Sequence, residues 1–142
     1  MTAEQRTPRE AVEAYVRALE SGHSDRIAEL FAEKVDWCVP GAEEVPWLGT
    51  RSTREDVADF FTVLYHHVAK EEFVIEQVLA DDQHAVALGH LRSRVRANNA
   101  LMESWFAIHM TVTDGQITRY RFYEDSLAIM RAWQAPGRPQ PA

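Results

Sequence analysis

This 142-residue chain holds one cysteine and, among its 15 basic residues, only two lysines, Lys34 and Lys70. A lone Cys38 excludes an internal disulfide and fits a reducing compartment, so the cytoplasm is the expected location. No apolar run approaches the roughly 18 residues of a membrane span. The opening MTAEQRTPRE has no apolar h-region, so no signal peptide is expected. Positive charge is scarce: 15 basic against 22 acidic residues leave a net charge of −7. That excludes a general nucleic-acid surface, which needs a basic stripe. There is no Gly-rich phosphate loop and no dinucleotide fingerprint. Nor is there an HxxxH, an HExxH or a cysteine pair. No cofactor and no metal are therefore expected.

What remains is an ordinary soluble composition, 46% apolar and 26% charged. It is enough for a single domain over 1–142 with an ordered core of about 7–134 and frayed tails at 1–6 and 136–142. Thr7-Pro8-Arg9-Glu10 reads as a capping box opening a helix that carries Val12, Tyr15, Val16 and Leu19 on one stripe and ends at Gly22. Ser24 opens a short second helix with Ile27, Leu30 and Phe31 on its buried side. Val35 to Val39 reads as a strand. Pro40 to Ser52 is a loop presenting Val45-Pro46-Trp47-Leu48. Thr53 caps a third helix with Val57, Phe60, Phe61, Leu64, Tyr65 and Val68 along one face. Strands are expected over Phe73 to Ala80 and His84 to Arg96, then a hairpin. A last helix follows, with Leu127, Met130 and Trp133 inward.

The hairpin, Leu101 to Asp125, organises the rest. Asp114-Gly115 suits a two-residue turn with positive φ. Pairing Thr113 with Gln116 and continuing without interruption sets His109 opposite Tyr120, Ala107 opposite Phe122 and Trp105 opposite Glu124. Alternation then gathers Trp105, His109, Tyr120, Phe122 and Glu124 on one face, read as a pocket wall. Phe106, Ile108, Met110 and Val112 fall on the other, read as packing surface or a subunit contact, from which a homodimer is expected. The fold class is α+β: a cone-shaped curved antiparallel sheet, three N-terminal helices on its concave face and a short C-terminal helix.

Three segments, AYVRALESGHSDRIAELFAEKVDW, PWLGTRSTREDVADFF and DGQITRYRFYEDS, resemble the SnoaL-like branch of the nuclear transport factor 2-like superfamily. The resemblance covers about Pro8 to Trp133. It implies an enclosed site for a small hydrophobic ligand, on a fold that hosts enzymes and non-enzymes alike. Tyr15 matches the catalytic tyrosine of ketosteroid isomerases. Their general-base and second aspartates fall on Val39 and near Ile108, so that mechanism is not implied. The charged set of epoxide hydrolases falls at about His90, Arg92 and Phe122, with its Tyr and Asn at Trp37 and Val39, and is not kept in kind. The late aspartate of polyketide cyclases matches Asp125.

The candidate acid–base set is therefore His109, His90, Tyr15, Arg92 and Asp125. The candidate binding wall is Trp37, Val39, Trp47, Phe60, Phe61, Leu64, Trp105, Tyr120, Phe122 and Glu124. An apolar wall would lower a histidine pKa and leave a neutral base for a proton next to a carbonyl. Plainer readings stand beside these. His109 and His90 can be hydrogen-bonded scaffold, Arg92 can pair with Glu124, and Trp105 and Trp37 can be core. His66 and His67 read as solvated, and Cys38 points away from the pocket. The expected activity is cofactor-independent isomerisation, cyclisation or dehydration of a polyketide-, steroid- or terpenoid-like molecule. The alternative is a ligand-binding or assembly module without turnover.

Overall fold

The computed structural model describes residues 6–137, so the tails expected to fray lie mostly outside the described residues. The elements are α1 (Pro8–Ser21), α2 (Ser24–Ala28), β1 (Phe31–Val39), β2 (Gly49–Thr53), α3 (Arg54–His67), β3 (Val68–Ala80), β4 (His84–Val95), β5 (Leu101–Thr113), β6 (Gln116–Glu124) and α4 (Ser126–Gln134).

Both long N-terminal helices start where their caps dictate. Thr7 accepts from the Glu10 amide at 3.2 Å, while the Glu10 carboxylate accepts from the Thr7 amide at 3.0 Å. Thr53 and Asp56 repeat the arrangement at α3. Each satisfies backbone donors that a helix start leaves open, at about 1 kcal/mol per cap. Gly22, at φ 71°, ends α1 in the left-handed conformation that suits glycine. The apolar stripes face the sheet: Val12, Tyr15 and Leu19 of α1 and Val57, Phe60 and Phe61 of α3 are buried.

The class is α+β, with a curved, unclosed sheet in the order β2-β1-β6-β5-β4-β3. The sheet is mixed, because β1 runs parallel to β6, with Trp37 opposite Tyr120. Nothing local signals such a pairing; a parallel neighbour needs a long crossover, and here most of the chain lies between the two strands. Arg121, donating to the Asp36 carboxylate at 2.8 Å, ties them together. The sheet's sixth strand, β2, is a short edge segment inside and just beyond the expected loop. Phe31 opens β1 rather than closing α2. The strand β3 begins at Val68, directly where α3 stops, without turn residues to mark the change. In α4 the buried residues are Ile129 and Ala132, and Leu127 is exposed.

The central hairpin forms on the expected turn, with Asp114 and Gly115 both at positive φ. Thr113 pairs with Gln116 and Val112 with Ile117. The register then slips: Thr111 faces Arg119, Met110 faces Tyr120, Ile108 faces Phe122 and Phe106 faces Glu124. Thr118 is the extra residue of a β-bulge. One added residue reverses which side of β6 matches which side of β5, since side chains alternate with period two. Tyr120, Phe122 and Glu124 therefore share the concave face with Phe106, Ile108 and Met110. Trp105 and His109 point to the convex side, and Trp105 is 71% exposed. The uninterrupted register expected from sequence is thus corrected. The apolar face read as a possible subunit contact is the core of the molecule.

Candidate functional site

A cavity of about 100 Å³ lies between the helices and the concave face of the sheet. α1 supplies Tyr15 and Leu19, and α3 supplies Phe60, Phe61, Leu64 and Tyr65. The β1 end contributes Val39, the following loop Trp47, and α4 Ile129. The sheet floor is Val68, Lys70 and Phe73 of β3, Leu91 and Ser93 of β4, Met102 of β5, and Tyr120, Phe122 and Glu124 of β6. Trp47 is held over the end of the cone, its ring edge-on to Trp133 with centroids 5.6 Å apart.

Two features give the cavity chemistry. First, the Tyr15 and Tyr120 hydroxyls meet at 2.6 Å, both buried. Burial pushes the pKa of each phenol up, so both stay protonated at any ordinary pH. Trp37 lies behind Tyr120, stacked at 4.0 Å with 11° between the ring planes. It does not line the cavity. Its indole N–H is the one buried side-chain polar atom without a partner among the described residues.

Second, the Glu124 carboxyl faces the cavity and makes no hydrogen bond or ion pair among the described residues. Burial pushes its pKa up to about 7, helped by the neighbouring Asp125 charge. Glu124 adds to the rise of the Tyr120 pKa, after burial and Tyr15. The cavity thus holds a carboxyl that can take up and return a proton near neutral pH and, elsewhere on its wall, a fixed phenolic donor.

Of the expected site residues, Tyr15, Val39, Trp47, Phe60, Phe61, Leu64, Tyr120, Phe122 and Glu124 line the cavity. His109, His90, Arg92 and Trp105 do not; they lie on the other side of the sheet. His109 Nε2 sits 3.1 Å from His84 Nδ1. Its pKa is lowered as expected, by burial first, then by His84, Arg119 and Arg121, but away from the cavity. His90 Nε2 lies 2.9 Å from Glu72 and its Nδ1 3.2 Å from Glu76, and these carboxylates raise its pKa. That favours its charged form over the neutral base expected. Arg92 pairs with Glu71 at 3.3 Å and Glu72 at 3.6 Å, not with Glu124. Asp125 is exposed and caps α4, accepting from the Ala128 amide at 3.0 Å. With His90 and Trp105 it borders an open surface cleft instead.

Sequence reasoning missed Leu19, Tyr65, Val68, Lys70, Phe73, Leu91, Ser93, Met102 and Ile129. The apolar alternation Met102, Phe106, Ile108, Met110, Val112, interrupted only by Ser104, was the available signal for the inner face. Starting β3 at Phe73 hid Val68 and Lys70. Among the described residues, no group of three or more His, Cys, Asp or Glu is placed to hold a metal ion. No helix among them is long and apolar enough to cross a membrane.

These features are those of an aromatic-walled cavity in a helix-capped sheet cone. The SnoaL-like domain model matches residues 12–120, and the chain belongs to that family. Solved structures share the fold. A nuclear transport factor 2-like protein from Burkholderia xenovorans is 24% identical, with 88% of this chain and 94% of that one covered and a TM-score of 0.79. A protein with a ketosteroid isomerase-like fold from Catenulispora acidiphila, in complex with trimethylamine, is 14% identical over 95% of this chain and 100% of that one, at a TM-score of 0.76. TerC, co-crystallised with polyporic acid, is 16% identical over 90% and 98% of the two chains, also at 0.76. Among curated proteins none matches in sequence.

Proposed function

We propose that this protein is a cofactor-independent enzyme that moves a proton on a small, largely apolar carbonyl compound of polyketide, steroid or terpenoid type. It would act as an isomerase, cyclase or dehydratase. The observation that carries the reading is Glu124, a carboxyl in an aromatic-walled cavity with its pKa pushed up to about 7. Such a group is half ionised at neutral pH and basic enough to take a proton next to a carbonyl. The proton moves from the substrate carbon to the Glu124 carboxylate, and negative charge gathers on the carbonyl oxygen. The tyrosine pair has two O–H hydrogens and uses one between its own oxygens, so the other is free for that oxygen. Return of the proton to a different carbon completes an isomerisation. Glu124 takes the role first expected for His109 or His90, and Tyr15 acts through and with Tyr120.

The test is α-hydrogen exchange of a panel of cyclic ketones, from cyclopentanone to β-tetralone, followed by NMR in D₂O. Exchange should rise with pH through about 7 as the carboxylate forms. Glu124→Gln should lower it by about 100-fold or more, the usual scale of a lost general base. Exchange unaffected by that substitution removes Glu124 from the role.

A second reading is ligand binding without turnover. The small size of the cavity and the outward turn of His90, Arg92 and His109 favour it, since they leave one titratable carboxyl inside. A panel compound that raises the melting temperature with no exchange on any ketone would support it. The relatives crystallised with trimethylamine and polyporic acid are in keeping with either. A homodimer belongs to this proposal on a changed basis: exposed Trp105 and Tyr123, cross-strand neighbours on the convex face. A reducing, cytoplasmic setting suits the free Cys38.

A further inference from the structure

Lys70 is an exposed residue that nevertheless lines the cavity, which puts it at the rim. Among the described residues that line the cavity it is the one cation. The acids on its own strand, Glu71, Glu72 and Glu76, are engaged by Arg92, Arg94 and His90. No carboxylate pairs with Lys70 among the described residues; its ammonium donates only to the Leu19 carbonyl, at a long 3.4 Å. Two of its three N–H donors are thereby left for something else.

The strand register fixes where this charge stands relative to Glu124. Lys70 pairs with Ser93 and Ser93 with Met102, so the three form one row across the sheet. Glu124 belongs to the row through Phe106, four residues further along β5. At about 3.3 Å per residue the rows are about 13 Å apart along the strands. Consistently, Lys70 plays no part in the Glu124 pKa, which burial and Asp125 set. The cavity thus has an unpaired cation at its rim and an acid further along its floor, with the tyrosine pair beyond that acid.

We propose that Lys70 is a specificity-determining residue and that the ligand is a hydrophobic carboxylic acid: its carboxylate rests on Lys70, and its apolar body reaches into the cavity toward Glu124. This rests on the cavity being the ligand site, not on proton transfer by Glu124. A carboxylate beside Glu124 would be repelled once that group ionises; the separation of the rows avoids this.

A purely structural role is the competing account. α1 has no basic residue in its last turn, and Lys70 can serve its open C-terminal carbonyls. The two accounts part on ligand choice. The dissociation constants of 3-phenylpropanoate and of its neutral counterpart 3-phenylpropan-1-ol are measured by calorimetry at pH 6 for wild type, Lys70→Met, Lys70→Arg and Glu124→Gln.

Wild type should prefer the acid by about tenfold, as one charge-assisted contact allows. Lys70→Met should lose that preference with alcohol binding unchanged, Lys70→Arg should keep it, and Glu124→Gln should keep it whether or not Glu124 is a base. An equal preference for acid and alcohol in wild type overturns the proposal. So does an undiminished preference in Lys70→Met, even if that variant melts lower. So does failure of every phenylalkanoate from phenylacetate to 6-phenylhexanoate to bind.

Discussion

Tyr15 and Tyr120, 105 positions apart in the chain, are joined by a hydrogen bond of 2.6 Å that neither can replace elsewhere in the core. Removing one hydroxyl leaves the other buried and unpaired, whereas removing both leaves two apolar rings of nearly the same shape. We expect Tyr15→Phe and Tyr120→Phe each to cost about 1–3 kcal/mol in urea unfolding. The double variant should cost clearly less than their sum. Strict additivity would show that the two oxygens do not depend on each other. At this scale the sequence was partly legible. Tyr15 and Glu124 could be nominated from type and position. Their environment could not, because a pKa near 7 for a carboxyl follows from what surrounds it, and the cavity that Glu124 faces is walled by residues from distant segments of the chain.

The strands carry the argument at the scale of the element. Phe106 on β5 stacks at 4.8 Å on Phe73 of β3 and at 5.2 Å on Phe122 of β6, so its ring reaches across β4. Gly89 makes that possible: a Cβ there would collide with the Val74 carbonyl and with the Phe106 ring. Gly89→Ala should therefore destabilise the fold by about 2–3 kcal/mol, read as a lower urea midpoint with unchanged slope, because backbone cannot yield as a side chain can. A wild-type midpoint would mean that β3 and β4 are less closely apposed. The elements themselves were largely readable, since capping boxes, a C-terminal glycine and the Asp114-Gly115 turn are local signals. The bulge at Thr118 was not. It has no residue signature here, yet it decides which of Trp105 and Phe106 lies inside.

For the whole molecule the consequence is a change of surface. The apolar side of β5 is spent on the core, and the convex side carries Arg119, Arg121, His109 and His84 at one end and Trp105, edge-on to His90, towards the other, with Tyr123 50% exposed. If two copies join, they do so over that mixed face. We expect sedimentation at low micromolar concentration to give a species of twice 16.2 kDa. Trp105→Glu should shift it to the monomer without loss of melting temperature, because a charge at a buried interface position costs far more than on open surface. A wild-type monomer would remove the dimer from the account.

What the sequence determined by itself is what depends on neighbours along the chain: the α+β class, helix starts and stops, the hairpin turn, the alternation of each strand and the family likeness. Tertiary structure alone decided the parallel seating of β1 beside β6, the one-residue slip that turned His109 and Trp105 outward, and the meeting of Lys70, Glu124 and the tyrosine pair around one cavity. The reason is geometric. Alternation gives the two faces of each strand, but which face is inner, and which charges lose water there, is fixed only when distant segments pack against one another.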